Sequence, residues 1–171
     1  MTNKHFSHVL LMGRMGVKDV PETLANTYQY LLTQGIEVSV EATSATLMDN
    51  IHDPVKVDNI PDSIDLILVI GGDGSLLNAA HIAVKEHIPV LGIHRGRLGF
   101  LTDIPPDALE MIGDVLKGHY VEDKRHFFIS SFTHSDSTHH QELALNDVVL
   151  LPGDIAHMLE FDTFADDKLV Y

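Results

Sequence analysis

The first half of the chain alternates short apolar runs with segments of helical period. Residues 8–12 form an apolar run that ends at a Gly-containing turn, which indicates a buried strand. Over residues 21–33, apolar side chains recur every three or four positions, with Pro21 near the start and Gly35 just past the end, so we predict a helix. Residues 36–40 then predict a second strand.

Residues 64–93 show a clearer strand–helix–strand pattern of the same kind. Residues 64–70 are almost continuously apolar, residues 71–74 interrupt the run, and residues 88–93 predict the next strand. The helix between them has a predicted apolar face made of Leu76, Leu77, Ala80 and Ala83. A strand, helix and strand in this order form a crossover that joins parallel strands. We therefore predict a layered α/β domain, with no element assigned to the polar residues 49–62.

From Tyr120 onward the pattern changes to strand-like segments joined by polar or Pro-Gly links. These segments cover residues 127–132, 143–150 and 157–164, and they predict antiparallel β structure. A helix over residues 106–116, ended by Gly118, precedes them. We therefore place the boundary after residue 118, with residues 1–118 as an α/β domain and residues 119–171 as the beginning of a β-rich domain.

The last segment predicts a hairpin whose second strand is very short. Residues 157–164 favour a strand, residues 165–168 a turn, and residues 169–171 an apolar return strand. A strand of three residues at an open edge is unusual. We expect further polypeptide to complete this domain.

Composition and charge narrow the range of partners. With 11 basic and 25 acidic residues the net charge is -14, which disfavours nucleic acid. A nucleotide is still permitted, because local N–H groups and a few cations hold it. The absence of cysteine excludes disulfides and thiolate chemistry. No secretion signal and no membrane-length apolar run occur, so we expect a cytoplasmic protein without a membrane partner.

Residues 71–74, Gly-Gly-Asp-Gly, are the strongest candidate for chemistry. They follow a buried strand and open a helix, where open parallel sheets bind ligands and backbone N–H groups are free. No Walker lysine follows, and Leu77 stands where the dinucleotide motif requires Gly or Ala. Asp73 is the candidate base, since an ionised carboxylate can accept a proton from a hydroxyl that attacks phosphorus. The alternative is that Asp73 or Ser75 only caps the helix.

Three blocks of sequence carry a resemblance to a known family. Residues 71–75 resemble the GGDG motif shared by NAD kinases, diacylglycerol kinases and 6-phosphofructokinases. Residues 94–102 resemble the N-x-G-x-L-G-F-L-T block of bacterial NAD kinases, and residues 144–150 resemble their Asn-Glu block. Together these blocks, which extend over essentially the whole chain, identify it as similar to the N-terminal portion of a bacterial NAD kinase.

The resemblance implies a fold and an activity. The fold is a parallel-sheet α/β domain followed by the start of an antiparallel all-β domain, as in NAD kinases and diacylglycerol kinases. The activity is phosphoryl transfer from ATP to the 2′-hydroxyl of the adenosine ribose of NAD, with Mg²⁺ arriving on ATP and no metal-binding residue in the protein. Family members are homo-oligomers, dimers or tetramers. They also carry a Thr-Gly-Ser-Thr-Ala-Tyr block that these residues lack, so we expect residues 1–171 alone to be inactive.

The resemblance also assigns roles to individual residues. Asp73 matches the proton acceptor and is the predicted catalytic residue. The binding residues that it implies are Gly72, Asp73, Gly74, Phe100, Asn146, Asp147 and His157. The family usually has Glu at the position of Asp147 and Asn at the position of His94, so the roles of both are open.

Alternatives remain for several of these positions. Phe100 can be a core side chain, His157 a strand residue packed between neighbours, and the pair at 146–147 the start of a strand after a turn. Arg95 and Arg97 either attract a phosphate or are ordinary surface arginines. The histidine-rich residues 134–140 favour a solvated hairpin loop over a metal site.

Two other function classes stay open from the sequence. One is a lipid or sugar kinase of the wider GGDG group, and the other is a nucleotide-binding fragment without turnover. The sequence also leaves open ATP or polyphosphate as donor, and NAD or NADH as acceptor.

Overall fold

The N-terminal part of the chain forms a parallel sheet with helices on both faces. The computed structural model describes residues 4–95, 101–102, 104–151 and 160–170. The sheet order is β2-β1-β3-β4, and all three strand pairs are parallel, which confirms the predicted layered α/β fold. The elements are β1 (His8–Gly13), α1 (Val20–Thr33), β2 (Glu37–Val40), α2 (Ala42–Ala45), β3 (Leu66–Gly71), α3 (Asp73–Glu86), β4 (Val90–His94) and α4 (Leu109–Leu116).

The two central strands are buried on both faces. Val9 and Leu11 of β1 join the cluster that packs against α1 and α4, whereas Leu10 and Met12 join the cluster beneath α3. The side chains of β3 alternate between the same two clusters. Strands covered on both faces need apolar side chains at nearly every position. This requirement explains why residues 9–12 and 66–70 are all apolar.

Helices α1 and α3 end where the backbone enters the left-handed region. Gly35 follows α1 with φ 73°, as predicted, and His87 closes α3 with φ 55°. The buried residues of α3 are the small Ala79 and Ala83, which allow the helix to lie close to the sheet. Of the predicted face of α3, Ala83 is fully buried. The remaining members, Leu76, Leu77 and Ala80, are half-buried.

Several element boundaries differ from the prediction for local reasons. Helix α4 begins at Leu109 instead of residue 106, because residues 105–107 form a turn in which the Ala108 N–H donates to the Pro105 carbonyl. Strand β4 begins at Val90 instead of residue 88, because the Ile88 N–H still closes the end of α3. Helix α2 was not predicted. It has only four residues, too few to show a hydrophobic period.

The remaining strands are antiparallel, as predicted. They are β5 (Phe128–Thr133), β6 (His139–Ala144), β7 (Phe164–Ala165) and β8 (Lys168–Leu169). The loop between β5 and β6 covers residues 134–138, which confirms the predicted hairpin loop in part, because His139 and His140 belong to β6. Asp166 and Asp167, with φ 47° and 61°, form the turn between β7 and β8. Residues with positive φ at both positions suit the twist of a two-residue hairpin.

The predicted bounds of the strand over residues 143–150 are wrong. Strand β6 ends at Ala144, and residues 147–150 lie outside any strand of the described chain. Strand β6 begins at His139, because the polar residues 139–142 pair with β5 across the hairpin. Val148 and Leu150 are exposed, and no strand in the described ranges pairs with them. The predicted strand over residues 157–164 is also wrong in its described part, because residues 160–163 lie in no strand and Phe164 begins β7. Residues 157–159 lie outside the described residues, and the boundary at residue 118 stays a prediction.

The buried centre of β3 gives a test of the fold. Leu68 is fully buried between β1, β4 and the α1 layer, so Leu68→Ala removes packing and leaves a cavity. We expect the free energy of unfolding, measured by urea titration, to fall by about 2–5 kcal/mol. Val121 is 97% exposed, and Val121→Ala is the matched control with an expected change below about 0.5 kcal/mol. A similar loss for both variants would contradict the assignment of this core.

Candidate active site

All four parallel strands deliver a polar or glycine-rich segment to the same edge of the sheet. Arg14 follows β1, Glu41 follows β2, residues 72–74 follow β3 and Arg95 follows β4. The chain leaves β1 toward β2 on one side, while β3 lies on the other side. A crevice forms outside the carboxyl ends of the strands at such a switch point, and ligands bind there in open parallel sheets.

A cavity of about 610 Å³ occupies this switch point. The loop after β1, the start of α2 and the first turns of α3 surround it. Its polar lining includes Arg14, Glu41, Thr43, Ser75 and Asn78. Arg14 is exposed, and within the described ranges its side chain has no hydrogen bond or ion pair. Sequence inspection missed Arg14 because a single arginine in a turn has no distinguishing pattern.

The glycines of the Gly-Gly-Asp-Gly segment differ in the space that an alanine Cβ would have at each position. A Cβ on Gly71 would overlap the Ser75 side chain, approaching its Cβ to 2.7 Å. Gly72 has extended backbone angles, φ -109° and ψ -171°, which any residue adopts. A Cβ on Gly72 or Gly74 meets nothing within 4 Å. Packing of this chain therefore requires glycine at Gly71 and leaves open space at Gly72 and Gly74.

Asp73 lies at the first position of α3 and is half-buried. Its Oδ1 accepts a hydrogen bond from the Leu101 N–H at 3.0 Å, so a loop from the other side of β4 orients the carboxylate. The N-cap of α3 is Gly72, and no side chain caps the helix. Asp73 and Ser75 therefore lie within the first turn of the helix and not at its capping position, and the catalytic role of Asp73 stays a prediction.

Backbone hydrogen bonds hold the flanking loops to the end of β3. The Arg14 N–H donates to the Ile70 carbonyl at 2.9 Å, and the Arg95 N–H donates to the Gly71 carbonyl at 2.7 Å. The Arg95 Nε donates to the Thr23 hydroxyl, which in turn donates to the Asp19 carbonyl. Arg95 thus ties the site to the start of α1.

Two polar atoms near this loop are buried without a partner in the described part of the chain. They are His94 Nδ1, at the end of β4, and Thr102 Oγ1, next to Leu101. A buried polar atom without a hydrogen bond costs about 1–3 kcal/mol.

Glu41 is a buried carboxylate whose oxygens are used inside the protein. Its Oε1 accepts from the Thr43 N–H at 2.7 Å, and its Oε2 accepts from the Ser44 N–H and hydroxyl at 2.8 and 2.7 Å. The Ser44 Oγ also accepts from the Gly13 N–H at 2.8 Å. Burial alone raises the pKa of Glu41, but the hydrogen bonds from Ser44 and Thr43 outweigh it, and the pKa lies below its usual value of 4.5.

The other predicted site residues lie elsewhere or outside the described ranges. Asn146 and Asp147 are exposed beyond the end of β6 and do not line the switch-point cavity. Their neighbour Leu145 lines a second cavity of about 580 Å³ beside β4. Phe100, His157 and Arg97 lie outside the described residues.

Neither a metal cluster nor a membrane helix is found in the described ranges. No group of three His, Cys, Asp or Glu side chains is placed to hold a metal ion. None of the described helices is long and apolar enough to cross a membrane.

Comparison with known proteins gives a consistent result. The family model for the ATP-NAD kinase N-terminal domain matches residues 9–120. The NAD kinase of Coxiella burnetii is 49% identical over 166 residues, which cover 96% of this chain and 56% of the relative. The NAD kinase of Chromohalobacter salexigens is 40% identical, covering 97% of this chain and 57% of the relative. The chain thus spans about half the length of the curated relatives it matches.

Solved structures show the same fold at low sequence identity. Yeast NADH kinase complexed with NADH has a TM-score of 0.60 and 16% identity, over 84% of this chain and 45% of that one. An NAD kinase from Archaeoglobus fulgidus in complex with ATP has a TM-score of 0.52 and 19% identity, over 81% and 46% of the two chains.

The Glu41 network predicts a stability change at acidic pH. Because the pKa of Glu41 is lower in the folded state than in the unfolded chain, its stabilisation is complete above about pH 4.5 and is lost as pH falls through the folded pKa. Urea titration of Glu41→Gln should show a lower free energy of unfolding than the unmodified protein at neutral pH. The difference should shrink below about pH 4.5.

Glu86→Gln is the matched control, because Glu86 is exposed and its side chain has no hydrogen bond or ion pair in the described ranges. The control should follow the unmodified protein throughout. Parallel pH curves for Glu41→Gln and the unmodified protein would show that the Glu41 carboxylate does not stabilise the fold.

Proposed function

The chain belongs to the NAD kinase family, and from this premise we propose that it forms part of an enzyme that phosphorylates NAD at the 2′-hydroxyl of its adenosine ribose, using ATP, to give NADP. The observation that carries the proposal is the placement of Asp73. It begins α3 at the carboxyl edge of the parallel sheet, beside the switch-point cavity, with its carboxylate oriented by the Leu101 N–H. The activity needs a chain of the relatives' length, of which these residues span about half.

Asp73 acts as the proton acceptor in this proposal. The ribose 2′-oxygen forms a bond to the γ-phosphorus of ATP as its proton passes to the Asp73 carboxylate. The bond between the γ-phosphorus and the bridging oxygen breaks, and ADP leaves. Phosphoryl transfer of this kind depends mainly on positioning and charge stabilisation. The Leu101 hydrogen bond supports it by fixing the orientation of the carboxylate before the substrate arrives.

The ATP phosphates lie against the backbone of Gly72 and Gly74. The space where a Cβ would stand is open at both residues, and the first turn of α3 presents N–H groups that favour an anion. Arg14, which also lines the cavity, supplies a cation. The carboxylate oxygens of Glu41 are engaged by Thr43 and Ser44, so Glu41 repels a phosphate less than an exposed carboxylate would.

Magnesium enters this proposal bound to ATP. No side-chain cluster in the described residues suits a resident metal, and Mg²⁺ commonly binds through substrate phosphates with few protein ligands. When bound, the ion offsets the charge of the transferring phosphoryl group. The residues of this chain hold the phosphates and the proton acceptor.

NAD binding draws on residues beyond the cavity. We assign contacts with the dinucleotide to Asn146 and Asp147, together with Phe100 and His157, from the resemblance. The relatives bound to NADH and to ATP support both ligand classes. A cytoplasmic location and a homo-oligomeric state belong to the proposal as well.

Replacement of the proton acceptor tests the function. In a protein of the relatives' length, ATP-dependent phosphorylation is expected with NAD and not with a diacylglycerol or fructose 6-phosphate. Asp73→Asn keeps the size of the side chain but removes the base, so kcat for NADP formation should fall by about 10²–10⁴-fold. Asp107→Asn, at an exposed position, is the control and should retain full activity. Circular dichroism and thermal unfolding should show that both variants remain folded; an active Asp73→Asn variant would exclude this role.

A pair of glycine variants separates packing from ligand contact. Gly71→Ala should lower the melting temperature, because its Cβ overlaps Ser75. Gly72→Ala should leave the melting temperature within about 2 °C, since its Cβ meets no protein atom, yet raise KM for ATP about tenfold or more by obstructing the phosphates. Thermal unfolding and steady-state kinetics in a protein of the relatives' length measure the two effects. An unchanged KM in Gly72→Ala would place the ATP phosphates elsewhere.

A further inference from the structure

His81 connects helix α3 to the β5–β6 hairpin through both of its ring nitrogens. Nδ1 lies 2.8 Å from the carbonyl oxygen of Leu77, one helical turn earlier in α3. Nε2 lies 2.9 Å from the carbonyl oxygen of Leu143 in β6. The ring also packs edge-on against Phe127, with ring centroids 5.4 Å apart and planes at 87°. The imidazole therefore sits between the helix and the hairpin.

Two carbonyl partners determine the protonation state that fits this geometry. A carbonyl oxygen only accepts hydrogen bonds, so each nitrogen must donate one. A neutral imidazole has a single N–H, whereas the imidazolium has two. Only protonated His81 can satisfy both contacts. In the neutral form, one nitrogen lone pair would face a carbonyl oxygen at hydrogen-bond distance, which is repulsive.

The Leu143 carbonyl lies in a strand that, among the described residues, pairs on one side only, and it accepts its hydrogen bond from outside the sheet. In a two-stranded ladder each strand is an edge, and alternate carbonyls point away from the partner strand. His81 supplies the donor for this edge carbonyl. It thereby fixes the end of β6 close to α3.

The surroundings of His81 contain charges of both signs. From α3, Lys85 lines the same small cavity, and from β6 so does Glu142. Strand β5 contributes Ile129, which does not titrate, and Gln141 of β6 is neutral.

The position of His81 links it to two segments of the proposed site. Asp73 begins α3, about two turns before His81. Residues 146–147 lie three and four positions after Leu143, just beyond the end of β6 at Ala144. We propose that His81, as an imidazolium, is a positioning residue that holds Asn146 and Asp147 at a fixed distance from Asp73, and that this connection loosens when His81 loses its proton. The part concerning substrate binding rests on the proposed function; the connection itself does not.

The first experiment tests the connection without any activity. Imidazole ¹⁵N chemical shifts of His81 in the 171-residue chain, followed between about pH 5 and 9, should show two protonated nitrogens at low pH. Amide hydrogen exchange in β6 should become faster as the second proton is lost. His81→Arg keeps a permanent cation with several donors, so its exchange rates should be slow and follow only the chemical pH dependence. His81 neutral throughout, with β6 protected equally at all pH values, would overturn the proposal.

The second experiment tests the consequence for substrate. In a protein of the relatives' length, KM for NAD should rise about tenfold as pH passes the His81 midpoint found by NMR, with little change in kcat, since one charge-assisted hydrogen bond is lost. His81→Gln should show the raised KM at every pH, and His81→Arg the low KM at every pH. His52→Gln, at an exposed position, should reproduce the unmodified profile.

The outcomes of the two experiments distinguish a failure of the His81 connection from a failure of the proposed function. A protein without NAD kinase activity but with a doubly protonated His81 and pH-dependent exchange in β6 retains the connection and refutes the proposed function. An active enzyme in which His81→Gln, His81→Arg and the unmodified protein share one KM profile refutes the positioning role.

Discussion

The parallel pairing of β1 with β3 is the constraint on which the rest of this structure depends. The pairing aligns the end of β1 with the end of β3, so that Gly13 lies opposite Ile70 and the Arg14 N–H donates to the Ile70 carbonyl. It also creates the reversal of strand order at which the cavity opens. Gly13 is needed here, because a Cβ would collide with Leu24 of α1. Close packing of the first helix and placement of the site thus follow from the same strand pair.

The elements predicted correctly from the sequence are those whose own residues determine them. Strands β1 and β3 are buried on both faces, and α1 has a clear period between Pro21 and Gly35, so their patterns are strong. The prediction errors concern elements whose bounds depend on residues far away in the sequence. Helix α2 forms around the Glu41 carboxylate, and β6 begins where β5 offers pairing positions, not where the chain becomes apolar. Sequence patterns carry no information about such partners.

The same distinction holds within the site. Asp73 was identified from the segment around it, because three glycines and a carboxylate at the end of a buried strand are locally unusual. Its hydrogen bond to Leu101 spans 28 positions and depends on the path of the loop after β4. Arg14 became a candidate only when the fold placed it in the lining of the same cavity as Ser75. Residue types could be proposed from the sequence, whereas the geometry that gives them roles could not.

Net charge and local charge have separate effects in this protein. A chain with net charge -14 would repel ATP if its acids faced the cavity. Glu41, the buried acid in the cavity lining, is surrounded by N–H and hydroxyl donors that stabilise its charge internally and also anchor α2 to the end of β1 through Ser44 and Gly13. The Glu41 carboxylate is therefore a structural component of the switch-point cavity: its charge is balanced by local dipoles, and its hydrogen bonds hold in place the turn from which Arg14 reaches the cavity.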